Sequence, residues 1–246
     1  MSPVLPVTLI VIAKTPVPGQ VKTRLTPPFS PQEAAQLAQA ALADTLEAVA
    51  AAPVARRVLA LAAPGEATRP AGPGGATPRS TPRPAAPEHA TAPPWVPAGF
   101  EVIPQRGGGL DERLAAAFTD AYGGGLPMVL IGMDTPQVTA GMLTDAATPL
   151  LSCEADAVLG PAADGGFWLL GLRAPNWSLL RGVPMSRSDT GQEQLARLRS
   201  AGLRVALMPE LSDVDYAQDA MRVAASIPES RFASVLARTG AAATTK

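Results

Sequence analysis

The chain has 246 residues, of which 47% are hydrophobic and 17% charged, so it can bury a sizeable core in one large domain or two small ones. Its net charge of −1 gives no global field to recruit nucleic acid or an acidic membrane, so any anion site must be local. One cysteine, Cys153, and one histidine, His89, exclude an internal disulfide framework and argue against a Cys/His zinc site. Any metal must then rest mainly on carboxylates, a donor set that suits magnesium or manganese with phosphates completing the shell. No apolar run is long enough to span a bilayer, and the N-terminus lacks a signal-type pattern. A cytoplasmic protein without membrane or nucleic-acid partners is expected.

Val7–Ala13 is an apolar, β-branched run that reads as a buried strand. It opens into a loop with two prolines and Gly19, ending on Lys22-Thr23-Arg24-Leu25. The chain has only three lysines, Lys14, Lys22 and the C-terminal Lys246, and two of them flank this loop. In an open α/β sheet, ligands bind beyond the carboxyl ends of the strands. Three cations and free backbone N–H groups there suit a phosphate-bearing ligand. A solvated loop with scattered basic residues is the plainer alternative.

Ser30-Pro31-Gln32-Glu33 is a capping box with proline at the first helical position, and it predicts a helix ending near Ala52. Val58–Leu61 reads as the second strand, giving a βαβ start. From about 64 to 97, Pro, Gly, Ala, Thr and Arg dominate without periodicity, as in a disordered insertion. Phe100–Pro104 is a short strand. A helix follows, with Leu110, Leu114, Ala117, Phe118 and Ala121 on one face.

Pro127–Asp134 is apolar to its end, as a central parallel strand should be. It stops on Asp134, placed either to bind a metal beside a nucleotide diphosphate or to stabilise the turn. A helix is expected over 139–151. Two strands, Ala157–Gly160 and Gly166–Leu172, flank a turn carrying Asp164. That carboxylate can meet a sugar hydroxyl, act as a base, or serve a glycine-rich hairpin. In Ser186–Gly191, Asp189 or Thr190 can cap the next helix, or Arg187 and the hydroxyls can contact an acceptor. After a strand at 204–207, Asp213 and Asp215 alternate onto one face of an extended segment. They can join Asp134 on a metal, or Asp215 can cap the following helix. A last helix is read over 228–238, and the expected layout is a single domain over 1–240 with a disordered tail at 241–246.

Two familiar signatures fail. Gly19 to Thr23 lacks the Gly-Lys step of a P-loop, and no Gly-x-Gly-x-x-Gly follows the first strand. The chain instead resembles a bacterial family of GT-A-fold transferases, known as glycosyltransferases associated with radical-SAM or seleno-domain proteins. The likeness rests on Ala13-Lys14-x-Pro16-x-x-Gly19-x-Val21-Lys22-Thr23-Arg24-Leu25, Gly132–Pro136, Gly160-Pro161 with Asp164–Leu172, and Asp213–Asp215. More distantly it is similar to the guanylyltransferases of molybdenum-cofactor and deazaflavin-cofactor synthesis.

The resemblance implies an α/β fold of the nucleotide-diphospho-sugar transferase type, a Rossmann-like mixed sheet flanked by helices. It implies a nucleotide site at Ala13, Lys14, Gly19, Lys22 and Arg24, and Mg²⁺ or Mn²⁺ on Asp134 with Asp215 as an additional ligand. Lys22, Arg24 and Asp164 become the candidate catalytic residues, and Trp168 and Ser186 the candidate acceptor contacts. The chain departs from the family at Phe167-Trp168, where two tyrosines are common, and at Met185-Ser186-Arg187, where Trp-Ser-Thr is common. The expected reaction is metal-dependent glycosyl transfer from a nucleotide-sugar to a small acceptor. Nucleotidyl transfer from a nucleoside triphosphate is the alternative, and an inactive nucleotide-binding protein the third reading. No oligomeric state is legible.

Overall fold

In the computed structural model, which describes residues 3–62, 91–174 and 176–243, seven strands form one mixed sheet with helices on both faces. The strands are β1 (Leu5–Lys14), β2 (Val54–Ala62), β3 (Glu101–Pro104), β4 (Met128–Gly132), β5 (Ala157–Pro161), β6 (Phe167–Leu172) and β7 (Val205–Leu207). Their order across the sheet is β3-β2-β1-β4-β6-β5-β7. The helices are α1 (Pro31–Ala51), α2 (Leu110–Ala121), α3 (Ala140–Leu151), α4 (Thr190–Ser200), α5 (Ala217–Ser226) and α6 (Arg231–Ala243). None is long and apolar enough to cross a membrane. Most of the insertion read at 64–97, and the end of the tail, lie outside the described residues.

Period-two alternation in β1 explains the two-sided core. Leu9, Val11 and Ala13 face α1 and α3, while Ile10 faces α2 and the strand residues packed beneath it. The α1 start forms as its sequence predicts: Ser30 Oγ accepts from the Glu33 N–H, and the Glu33 carboxylate accepts from the Ser30 N–H. Leu110 departs from expectation. It begins α2 but is 44% exposed, because the buried stripe starts one turn later at Leu114. The last helix runs on to Ala243, past the expected end at Arg238.

β4 is parallel to β1 on one side but antiparallel to β6 on the other, so it borders the two halves of the sheet and is not flanked by parallel neighbours. β6 also pairs antiparallel with β5, and β5 pairs parallel with β7. The exits of β1, β4, β5 and β7 and the entry of β6 therefore share one edge. The segment after β7 is fastened there by main chain. Leu211 N–H donates to Pro161 O, Ala163 N–H to Leu211 O, and Val214 N–H to Asp134 O.

A smaller apolar cluster joins the back of α1 to α5 and α6 around Phe232, and it includes Leu25 and Val214. These two residues flank the charged loops: Leu25 follows Lys22 and Arg24, and Val214 lies between Asp213 and Asp215. Leu25→Ala is expected to lower unfolding free energy by about 2–5 kcal/mol, the usual cost of a buried leucine cavity. A denaturant titration checks this, and a change within experimental error would show that Leu25 does not anchor the loop.

Candidate functional site

At the shared strand edge lies an open cleft of about 530 Å³. Its walls come from the β1 exit loop, the start of α2, the β4 exit, the β5–β6 turn, the 185–190 segment and the segment after β7. Of the residues expected at the site, Ala13, Lys14, Lys22, Arg24, Asp134, Asp164, Trp168, Ser186 and Asp215 all line it. Gly19 does not. It takes a left-handed turn (φ 74°) in the same loop, a conformation that glycine adopts without strain.

Lys22 is the centre. Its ammonium lies 3.0 Å from Asp134 Oδ2 and 3.0 Å from Asp215 Oδ1, and its side chain is only 9% exposed. Its backbone is left-handed (φ 48°) as the chain enters a short 3₁₀ turn at Thr23–Leu25. Burial alone would lower the Lys22 pKa. The charges of Asp134 and Asp215 and hydrogen bonds to both outweigh it, so the ammonium is held above the usual lysine value.

Arg24 Nη1 donates to the other Asp215 oxygen at 2.9 Å, and its guanidinium lies 5.9 Å from the Tyr216 ring centroid. Burial would raise Asp215, yet Lys22 and Arg24 hold its carboxyl below the ordinary range. Asp215 does not cap α5. Asp219 takes that place, accepting from the Tyr216 N–H at 2.8 Å.

Lys14, an exposed residue at the end of β1 that lines the cleft, forms no salt bridge among the described residues. Desolvation of its ammonium, and then the nearby Arg113 charge, push its pKa down. Asp213 is the opposite case. Its Oδ1 is buried with no hydrogen-bond partner among the described residues, and burial, with Asp134 and Asp164 nearby, raises its pKa to about 7. Asp164 Oδ1 accepts from the Gly166 N–H at 2.8 Å, so the turn reading holds while the carboxylate still faces the cleft.

Trp168 lines the cleft but is only 3% exposed, and its indole N–H donates to Pro209 O at 3.1 Å, so it also supports the wall. Tight packing beside Gly160 fixes it there: a Cβ at Gly160 would lie 2.5 Å from the indole nitrogen. Ser186 lines the cleft in a left-handed conformation (φ 60°). Arg187 pairs with Asp189 through two hydrogen bonds, at 2.9 and 2.6 Å. Thr190 Oγ1 donates to Pro184 O, closing the 184–190 loop.

Sequence reading missed Arg113 and Gln105, both of which line the cleft. Arg113 sits in the first turn of α2 and holds Gly107 O and Gly108 O. Gln105 bridges Ala13 O and Ala60 O with its amide. The strand-end rule that selected Asp134 also covers the exit of β3, where Gln105 stands.

The donors fit a hard divalent cation. Asp134 and Asp215 already share one positive charge, and Asp213 presents a buried oxygen without a partner. Among the described residues, no three acidic, histidine or cysteine side chains gather closely enough to hold a metal by themselves. A ligand's phosphates would have to complete the shell.

The chain belongs to DUF2064, a family described as uncharacterised proteins conserved in bacteria, whose family model matches residues 45–187. Its fold is similar to the crystal structure of a protein of Desulfovibrio desulfuricans G20, provisionally assigned as a nucleotide-diphospho-sugar transferase. The TM-score is 0.74 at 26% identity, covering 97% of each chain. It is also similar in fold to a CMP:2-keto-3-deoxy-manno-octonic acid synthetase complexed with CTP, with a TM-score of 0.50 and 11% identity over 91% of this chain and 99% of that one. No curated protein matches the chain in sequence at a significant level. The fold is therefore that of the nucleotide-diphospho-sugar transferases.

Asp213 gives a pH prediction for the metal-free protein. Its ordinary pKa is 3.8 and its folded value about 7. Between those values the folded chain keeps a proton that the unfolded chain releases. Stability therefore falls as pH rises through this window, and the loss is complete above about 7. Asp213→Asn removes that loss. Its gain in unfolding free energy is expected to grow from pH 5 to pH 8, reaching on the order of 4 kcal/mol. A gain that does not vary with pH would contradict the assignment.

Proposed function

We propose that the chain is a divalent-metal-dependent transferase that takes a sugar from a nucleotide-diphospho-sugar donor and passes it to a small-molecule acceptor. The Lys22 bridge between Asp134 and Asp215, at the floor of a cleft at the strand ends, carries this reading. The arrangement puts cations and metal-binding oxygens against one phosphate-sized space. The likeness to the Desulfovibrio protein supports the donor class.

In this reading Lys14 receives the diphosphate first, because its ammonium forms no salt bridge among the described residues. Arg24 closes from the rim, where its side chain is 59% exposed. Lys22 and Arg24 neutralise charge that develops on the departing diphosphate. Mg²⁺ or Mn²⁺ held by Asp134 and Asp215 would supply Lewis-acid stabilisation of the same leaving group. Asp164 lines the cleft, as Ser186 does, and takes the proton from the attacking acceptor hydroxyl. Ser186 orients that acceptor, while Trp168 keeps the wall rigid behind it. The protein acts as a single domain without nucleic-acid or membrane partners, in the cytoplasm.

One observation favours a second reading, nucleotidyl transfer from a nucleoside triphosphate. Four cationic side chains, Lys14, Lys22, Arg24 and Arg113, line the cleft, more than the two negative charges of a diphosphate diester. The same cations would then stabilise an attacked α-phosphate and a departing pyrophosphate.

The two chemistries differ in what they release. With Mg²⁺ and a panel of nucleotide-sugars, release of nucleoside diphosphate is expected, and Asp134→Ala is expected to lower it by at least about a hundredfold, as for loss of a major transition-state contact. Pyrophosphate from nucleoside triphosphates, with no nucleoside diphosphate from any sugar donor, would overturn glycosyl transfer in favour of the second reading.

A further inference from the structure

The ammonium of Lys22 stands in the place that a divalent ion would take. It touches one oxygen of Asp134, from the β4 exit, and one oxygen of Asp215, from the segment before α5, each at 3.0 Å. Two carboxylates from separate elements, converging on one point with a cation between them, are a cation site. Here the chain fills it with its own side chain. The remaining Asp215 oxygen is engaged by Arg24. An ion bound by Asp134 and Asp215 together would lie within about 3 Å of the present Nζ position, too close for an ammonium and a divalent cation to coexist.

The backbone shows what holds the lysine there. A non-glycine residue seldom adopts a left-handed φ unless its surroundings over-determine it. At Lys22 the surroundings are the two carboxylates ahead and the buried Leu25 behind. The residues on either side, Val21 and Leu25, are buried and hold the backbone in place. The lysine can nonetheless swing toward the cleft by rotating about its own flexible side-chain bonds, without unpacking the core. Lys14, which lines the cleft and has no salt-bridge partner among the described residues, marks where incoming phosphates would settle.

We infer that Lys22 is a resident cation that guards the Asp134–Asp215 site in the free protein and cedes it to a divalent ion when a nucleotide diphosphate draws the ammonium away. This rests on the metal-dependent reading above and adds an order to it: the divalent ion and the diphosphate bind as a pair, each weak alone. By linkage, each strengthens the other by the same factor. A metal-free, nucleotide-free protein keeps its carboxylates neutralised and does not collect stray divalent ions.

Manganese binding by the full chain tests this without any turnover, using electron paramagnetic resonance to count free Mn²⁺ and inorganic pyrophosphate as the diphosphate probe. Wild type is expected to bind Mn²⁺ weakly alone and at least tenfold more tightly with pyrophosphate. Lys22→Met is expected to bind Mn²⁺ at least tenfold more tightly than wild type in the absence of pyrophosphate. Lys22→Arg keeps the charge and is expected to stay close to wild type. Lys22→Gln provides a second neutral variant should methionine impair folding, and thermal unfolding of either neutral variant should shift upward with Mn²⁺ more than wild type does. Equal or weaker Mn²⁺ binding by the folded neutral variants overturns the inference and leaves the transferase reading standing. No Mn²⁺ binding by any variant, with or without pyrophosphate, overturns both.

Discussion

The site depends on one buried charge shared by two carboxylates. Lys22 brings the loop after β1 onto Asp134 after β4 and Asp215 after β7, so one ammonium ties three strand exits together. Such an arrangement is poor evidence for net stability, since desolvating the charges offsets most of their attraction. Its value is geometric. Removing one partner of a buried pair typically costs about 3–5 kcal/mol because the others are left uncompensated. In the free protein the lysine is thus held between the two acids. Leu25 and Val214 reinforce this from below by burying the same two segments in a common apolar cluster.

The sheet explains why those exits meet. β6 runs antiparallel between β4 and β5, which places the β5–β6 turn, with Asp164, at the edge where β1, β4 and β7 end. A parallel β6 would need a crossover connection in place of this tight turn. The main-chain bond from Val214 to Asp134 O then sets the acidic segment after β7 against the acid after β4. Asp213 carries the strain of this crowding. Asp134, Asp164 and Asp215 crowd it with negative charge, and its Oδ1 is buried with no hydrogen-bond partner among the described residues.

Much of the fold is legible in the sequence because its signals are local. Ser30, Pro31 and Glu33 form their capping box within four residues, and the apolar run into Asp134 marks both a buried strand and its ligand-facing end. β2 is harder to bound, since Arg56 and Arg57 interrupt its apolar run. Both lie within the strand because their guanidiniums leave it, Arg56 to Glu101 and Ala121 O, and Arg57 to Val49 O and Ala52 O. The direction of β6 is not written in its own residues, which would suit either orientation. At the site, single residues could be named but their pairing could not. Lys22 and Asp215 stand 193 residues apart, and only the sheet order brings them together. Trp168 shows the limit on the acceptor side: an aromatic beside a glycine-rich turn suggests a stacking surface, whereas packing against Gly160 turns it inward.

The central claim is that Lys22 is a buried, doubly paired ammonium at the floor of the cleft. Because the chain has only three lysines, a ¹⁵Nζ and ¹³Cε NMR titration of lysine-labelled, metal-free protein resolves it directly. The account predicts one lysine that keeps its proton above the ordinary value of 10.5 and loses that shift in Asp134→Asn, while Lys14 titrates below that value. A Lys22 that titrates at or below 10.5, unmoved by Asp134→Asn, would contradict it.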